Sequence, residues 1–195
     1  MMRNFLKAFS VLSLLVLAAC GAGPAVSTNP AEVRELALNI QAMSADVDPE
    51  EAQRAARIAY EYTVVLAKQY QITDPPLVHN TKVNMGIKPR GLCYQWADDI
   101  EKRLEQENFK TLDLHRAIAN ADNPFRLEHS TAIISAMGDD MYGGIVLDPW
   151  RLGGRLYWDQ TVEDTKYNWL PRDVVMEQKR RNREKRQSMS LAGAS

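Results

Sequence analysis

The period of the apolar residues changes once along this chain, just after Leu104, and that change constrains the fold more than any other feature. Ahead of it the apolar residues recur at helical spacing; beyond it they alternate or form short β-branched runs. Helices gathered before strands predict an α+β domain, in which N-terminal helices and one later helix pack on a small antiparallel sheet.

The helix boundaries are well signalled. Asn29 caps a helix predicted from about Pro30 to Met43, with Pro30 in its first turn and Glu32 near the positive end of its dipole. Asp48, Pro49, Glu50 and Glu51 open a second, and Ala52, Ala55, Ala59, Tyr62, Leu66 and Tyr70 continue it at helical spacing. Asp74-Pro75-Pro76 ends it. Leu77 to Arg90 has no clear period and reads as a long loop. Trp96, Ala97, Ile100 and Leu104 then form the apolar stripe of an amphipathic helix that begins at or just before Cys93.

Beyond the switch, Leu112 and Leu114 alternate with Asp113 and His115, as in a strand. Leu127 to Met137, a turn from Gly138 to Gly144, and Ile145 to Asp148 predict an antiparallel hairpin. Leu156-Tyr157-Trp158 suggests a further short strand. The end of the chain, rich in Lys, Arg and Glu, reads as solvated helix or disorder.

The first 20 residues are of another kind. Arg3 and Lys7 precede an apolar run from Ala8 to Leu17, roughly half the length needed to span a membrane, as in an export signal. Leu17-Ala18-Ala19-Cys20 resembles the lipobox of bacterial lipoproteins, which implies cleavage before Cys20 and lipid on its sulfur. An ordinary signal cut nearby, or an uncleaved anchor, is the alternative. Gly21 follows where lipoproteins kept at the inner membrane often carry Asp, which points to the outer membrane, facing the periplasm. The expected organisation is a signal over 1–20, a flexible tether over 21–29, one domain over 30–175, and a basic, disordered tail over 176–195.

Removing the signal leaves 22 basic against 25 acidic side chains, a formal charge of −3, and nothing that invites nucleic acid. In an oxidising compartment cysteines serve stability in pairs. With Cys20 lipidated, Cys93 is unpaired: a buried small hydrophobe, an intermolecular bridge or a reactive group. Its position at a helix start favours the reactive reading, because the backbone N–H groups there favour a thiolate. His129 lies near the start of the first strand of the hairpin and Asp148 ends the second, so their separation of 19 residues allows the side chains to meet if the register permits. An imidazole near the sulfur would form an ion pair with it and carry protons, and the aspartate would orient that imidazole.

Arg90-Gly91-Leu92-Cys93 with Ala97, Glu128-His129, and Val146-Leu147-Asp148-Pro149 together resemble the transglutaminase-like superfamily of papain-like thiol enzymes. The resemblance spans roughly residues 77–158. It implies a Cys93–His129–Asp148 triad with Cys93 as nucleophile, acting on amide bonds of a peptide, a protein or the cell wall by hydrolysis or acyl transfer. The alternative is the same fold retained as an inactive binding or scaffolding module. The N–H of Cys93 would be one oxyanion donor, and Asn80 or Asn84 is a candidate for the other. His79 and His115 match no motif and read as surface residues. Neither offers Cys93 the ligand spacing of a zinc site, and no metal or cofactor is expected.

Overall fold

The structure, a computed structural model, describes residues 28–192. The expected signal, Cys20 and most of the tether lie outside the described residues. Helices α1 (Pro30–Gln41), α2 (Pro49–Gln69), α3 (Pro76–Asn84) and α4 (Cys93–Glu105) come first. Strands β1 (Leu112–Ala119), β2 (His129–Ala136), β3 (Ile145–Asp148), β4 (Tyr157–Gln160) and β5 (Leu170–Pro171) follow, and α5 (Arg172–Ala192) closes the described chain. The class is α+β.

The expected caps form. Asn29 Oδ1 accepts from the N–H of Ala31 at 3.0 Å, and Asp48 Oδ1 from those of Glu50 and Glu51 at 2.7 and 3.0 Å. Glu51 does more than complement a dipole. It is buried, and its carboxylate accepts from the N–H groups of Lys110 and Thr111 and from the Thr111 hydroxyl at 2.7–3.0 Å. Helix α2 thereby fixes where β1 begins.

The five strands lie in the order β4-β3-β2-β1-β5, with every neighbouring pair antiparallel. The hairpin of β2 and β3 pairs Ala132 with Leu147, Ile133 with Val146 and Ile134 with Ile145. A short 3-10 turn, Met141–Gly143, lies in the connection between them. One face of the sheet meets the helices: Leu36, Ile40, Leu66, Trp96, Ile100 and Leu104 share a core with Ile134, Ile145 and Leu147. Burying each such side chain contributes about 1.5–3 kcal/mol. On the other face Ala117, Ile133, Val146 and Met141 pack with Trp169.

Three expectations need correction. The segment after Pro75 holds helix α3 and is not one long loop, because α2 already ends at Gln69 and Pro76 suits the first turn of a new helix. Helix α3 has no apolar stripe, and His79 is its one buried side chain. His79 is therefore not a surface residue, and the half-buried His115 has its Nε2 2.8 Å from Ser135 Oγ. Finally, of the two readings of the charged end, solvated helix holds and disorder from 176 does not: residues 172–192 form a single helix, with Val175 buried at its root and ion pairs along its exposed length, among them Arg180 and Arg181 with Glu177.

Candidate active site

Cys93 is the first residue of α4, and the turn before it is held from every side. Gly91 takes φ +125°, and a β-carbon there would stand 2.5 Å from His79 Nε2. Only glycine suits both the backbone angle and the space. His79 Nε2 donates to the carbonyl of Arg90 at 2.8 Å, and Trp96 Nε1 to that of Gly91 at 3.1 Å. Gln95 reaches back, its Oε1 accepting from the N–H groups of Gly91 and Leu92 at 2.8 and 3.0 Å. Arg90 in turn donates to both carboxylate oxygens of Asp99 at 2.9 Å, and Asp99 also receives the Tyr70 hydroxyl. These contacts fix the turn, and the N–H of Cys93, in the first turn of α4, has no acceptor within its own helix.

The thiol is half-buried, with Sγ 3.7 Å from the carbonyl oxygen of Glu128. That carbonyl immediately precedes His129, so the start of α4 and the start of β2 meet at the sulfur. Extending the β2–β3 register by one pair places Asp148 opposite Thr131 and diagonal to His129, within reach of an imidazole. His129 Nε2 donates to Asp148 Oδ2 at 2.6 Å, and both side chains are only 1% exposed.

The other ring nitrogen, Nδ1, is buried without a hydrogen-bond partner. Since Asp148 occupies Nε2, Nδ1 is the nitrogen that can serve a thiol. Burial disfavours a charged imidazole, but the Asp148 carboxylate, its hydrogen bond and the interaction with Cys93 outweigh it and raise the pKa of His129 to about 9. The three expected residues thus converge, with His129 between the other two.

Sequence reasoning missed the residues that hold this arrangement. Asp148 accepts not only from His129 but also from Arg151, whose Nε donates to Oδ2 at 3.0 Å and whose N–H donates to Oδ1 at 3.1 Å. The Arg151 guanidinium continues to Asp164, donating at 3.0 and 2.6 Å, and Trp169 Nε1 donates to the same carboxylate at 2.9 Å. The rings of Trp150, Tyr167 and Trp169 enclose His129, with centroids 4.6, 4.6 and 5.4 Å from its own. Such a wall leaves the imidazole only 1% exposed, and the low polarity around it strengthens its pairing with Asp148. Trp150 and Arg151 stand directly after Asp148-Pro149, the nearest signal the sequence offered. Asp164 and Trp169 had none.

Of the two asparagines, Asn80 belongs to the surroundings of the site. Its Oδ1 accepts from Trp150 Nε1 at 3.0 Å, whereas Asn84 is exposed at the end of α3. Among the described residues, no group of three or more His, Cys, Asp or Glu side chains is arranged to hold a metal ion.

A half-buried sulfur at a helix start, an imidazole and a buried carboxylate form an arrangement that can supply a nucleophile, a proton carrier and a group to orient it. Compared with protein families, curated proteins and solved structures, the chain matches none.

Proposed function

We propose that the protein is an envelope lipoprotein of the transglutaminase-like superfamily whose Cys93–His129–Asp148 site acts on amide bonds through an acyl-enzyme. One observation carries this reading: His129 is fixed by Asp148 through Nε2 while Nδ1, buried and unpartnered, is left for the Cys93 thiol.

In the proposed reaction, Sγ adds to the substrate carbonyl with the one proton shared by the Cys93–His129 pair held on the imidazole. The N–H of Cys93 donates to the oxygen on which negative charge develops. The imidazolium then passes its proton to the leaving nitrogen, the C–N bond breaks and a thioester remains. Water or an amine attacks that thioester, loses a proton to His129 and releases the sulfur. Asp148 stabilises the imidazolium in both halves without itself changing protonation.

The membrane anchor is part of the same proposal and rests on Leu17-Ala18-Ala19-Cys20. Lipid on Cys20 would hold the domain at the outer membrane, facing the periplasm, with peptide, protein or cell-wall amides in reach. No helix among the described residues is long and apolar enough to cross a membrane.

The test is covalent trapping. Purified protein incubated with an activated ester is expected to gain one acyl mass, mapped to Cys93, and Cys93→Ala and His129→Ala should each abolish it with circular dichroism unchanged. A folded wild type that stays unacylated by a panel of activated acyl donors would overturn the enzymatic reading and favour the scaffold.

A further inference from the structure

A cleft of about 580 Å³ opens against His129 and does not include Cys93 in its lining. Its walls are apolar: Pro76, Leu77 and Val78 from α3 on one side, Leu127, Trp150 and Tyr167 on the other. The charged groups in its lining are all basic. Arg151 is already committed to Asp148 and Asp164 and is buried behind the imidazole. Arg126 and Lys166 are exposed and form no ion pair among the described residues. Arg126 Nη2 donates to the Lys166 carbonyl at 3.1 Å, so the two segments that carry these cations are tied together at the cleft.

The position of the cleft assigns its occupant. In amide cleavage the imidazole must hand a proton to the departing nitrogen, so the substituents of that nitrogen extend over the ring of His129 and away from the sulfur. This argument rests on the function proposed above. We infer that the cleft takes the amine component of the amide, and that this component is an amino acid or short peptide combining an apolar portion with a carboxylate, held by Arg126 and Lys166. In acyl transfer the incoming amine occupies the same place: its nitrogen forms the new C–N bond as the C–S bond breaks, and its proton passes through His129 to the Cys93 sulfur. Charge complementarity decides between occupants. An apolar cleft with two unpaired cations and no carboxylate in its lining favours an anionic amine component over a neutral or cationic one.

The experiment uses two small amines of one shape, 4-aminobenzoate and 4-aminobenzamide, titrated by NMR into the wild type and into Cys93→Ala, where no chemistry can follow. 4-Aminobenzoate is expected to shift the Trp150 indole N–H signal and to bind about tenfold more tightly than the amide, as a charge-assisted contact provides. Arg126→Glu combined with Lys166→Glu should reverse the order. Equal affinities in the wild type, or shifts confined to residues away from Trp150 and His129, would overturn the inference. Since binding is read without acylation, failure here leaves the covalent trapping of Cys93 to stand or fall separately.

Discussion

His129 and Arg151 meet on a single oxygen: Asp148 Oδ2 accepts from His129 Nε2 at 2.6 Å and from Arg151 Nε at 3.0 Å. The carboxylate that orients the imidazole is therefore itself held in place by a buried guanidinium, and Asp164 holds that guanidinium from the far side. The pKa of Asp164 is lowered, because its hydrogen bonds from Arg151 and Trp169 outweigh the effect of burial. The imidazole is thus set by a chain of charged contacts whose far end lies in the segment before β5.

Asp148→Asn tests the first link. Burial then acts on His129 with only Cys93 left to oppose it, so its pKa is expected to fall well below about 9, as read by NMR titration of the ring. The sign for stability follows from the same shift. A folded value above the unfolded one stabilises the wild type fully below about pH 6.5, and that contribution fades as pH rises through 9. Denaturant midpoints measured from pH 6 to 10 should show this decline in the wild type and lose it in Asp148→Asn. Acylation of Cys93 by the variant should drop by roughly 10²–10⁴-fold without vanishing, because the nucleophile and its oxyanion donor remain. An unchanged His129 titration would remove Asp148 from the account.

Arg151→Leu tests the second link. The change keeps apolar bulk under Tyr157 and Tyr167, whose rings now face the guanidinium at 3.8 and 4.7 Å, but leaves Asp148 and Asp164 buried without their shared cation. Removing one partner from a buried charge pair costs about 3–5 kcal/mol. The loss should be largest near neutral pH and smaller in acid, where the stranded carboxylates take up protons. A loss below about 1 kcal/mol at pH 7 would show that water reaches them.

Gly91→Ala addresses the turn that presents the sulfur. The added methyl meets the buried His79 ring, and the backbone angle is one that L side chains rarely adopt, so a loss of about 2 kcal/mol or more is expected. Cys93 should also become less reactive toward iodoacetamide than in the wild type under the same native conditions. In a His79→Ala background, which removes the ring, the loss caused by Gly91→Ala should be smaller than in the wild type, because only the backbone cost is left. An equal loss in both backgrounds would place the whole effect in the backbone.

Much of the arrangement was legible because the relevant physics is local. Asn29 and Asp48 cap the helices they precede in sequence, and the stripe from Trp96 to Leu104 is the face that α4 buries. The apolar runs on either side of the Gly138–Gly144 turn set the hairpin, and with it the approach of His129 to Asp148. What escaped depends on contacts between distant segments. Glu51 looks like a first-turn carboxylate until Thr111, 60 residues on, gives it two donors. His79 looks polar and exposed until Gly91 leaves room for its ring. Helix α3 escaped because periodicity reports burial on one face, and this helix buries little of itself.

Cys20 tests whether the site works at a membrane. The apolar run from Ala8 to Leu17 is roughly half the length of a membrane span, so in the function proposed above attachment comes from acyl chains on Cys20, each buried CH₂ contributing about 0.8 kcal/mol. Mature protein from the source cell should begin at residue 20 and carry the mass of a lipidated cysteine, and it should sediment with outer membranes. Cys20→Ser should either accumulate as the full-length precursor or appear in the soluble periplasmic fraction. Two further outcomes would each reject the anchor. One is a mature N-terminus at another residue with no lipid mass; the other is membrane sedimentation of Cys20→Ser equal to that of the wild type after correct processing. Domain reactivity provides the control, because the contacts that build the Cys93 site are made by residues between Tyr70 and Trp169. Detergent-solubilised wild type and soluble Cys20→Ser should therefore acylate at Cys93 at the same rate, and only their access to envelope substrates should differ.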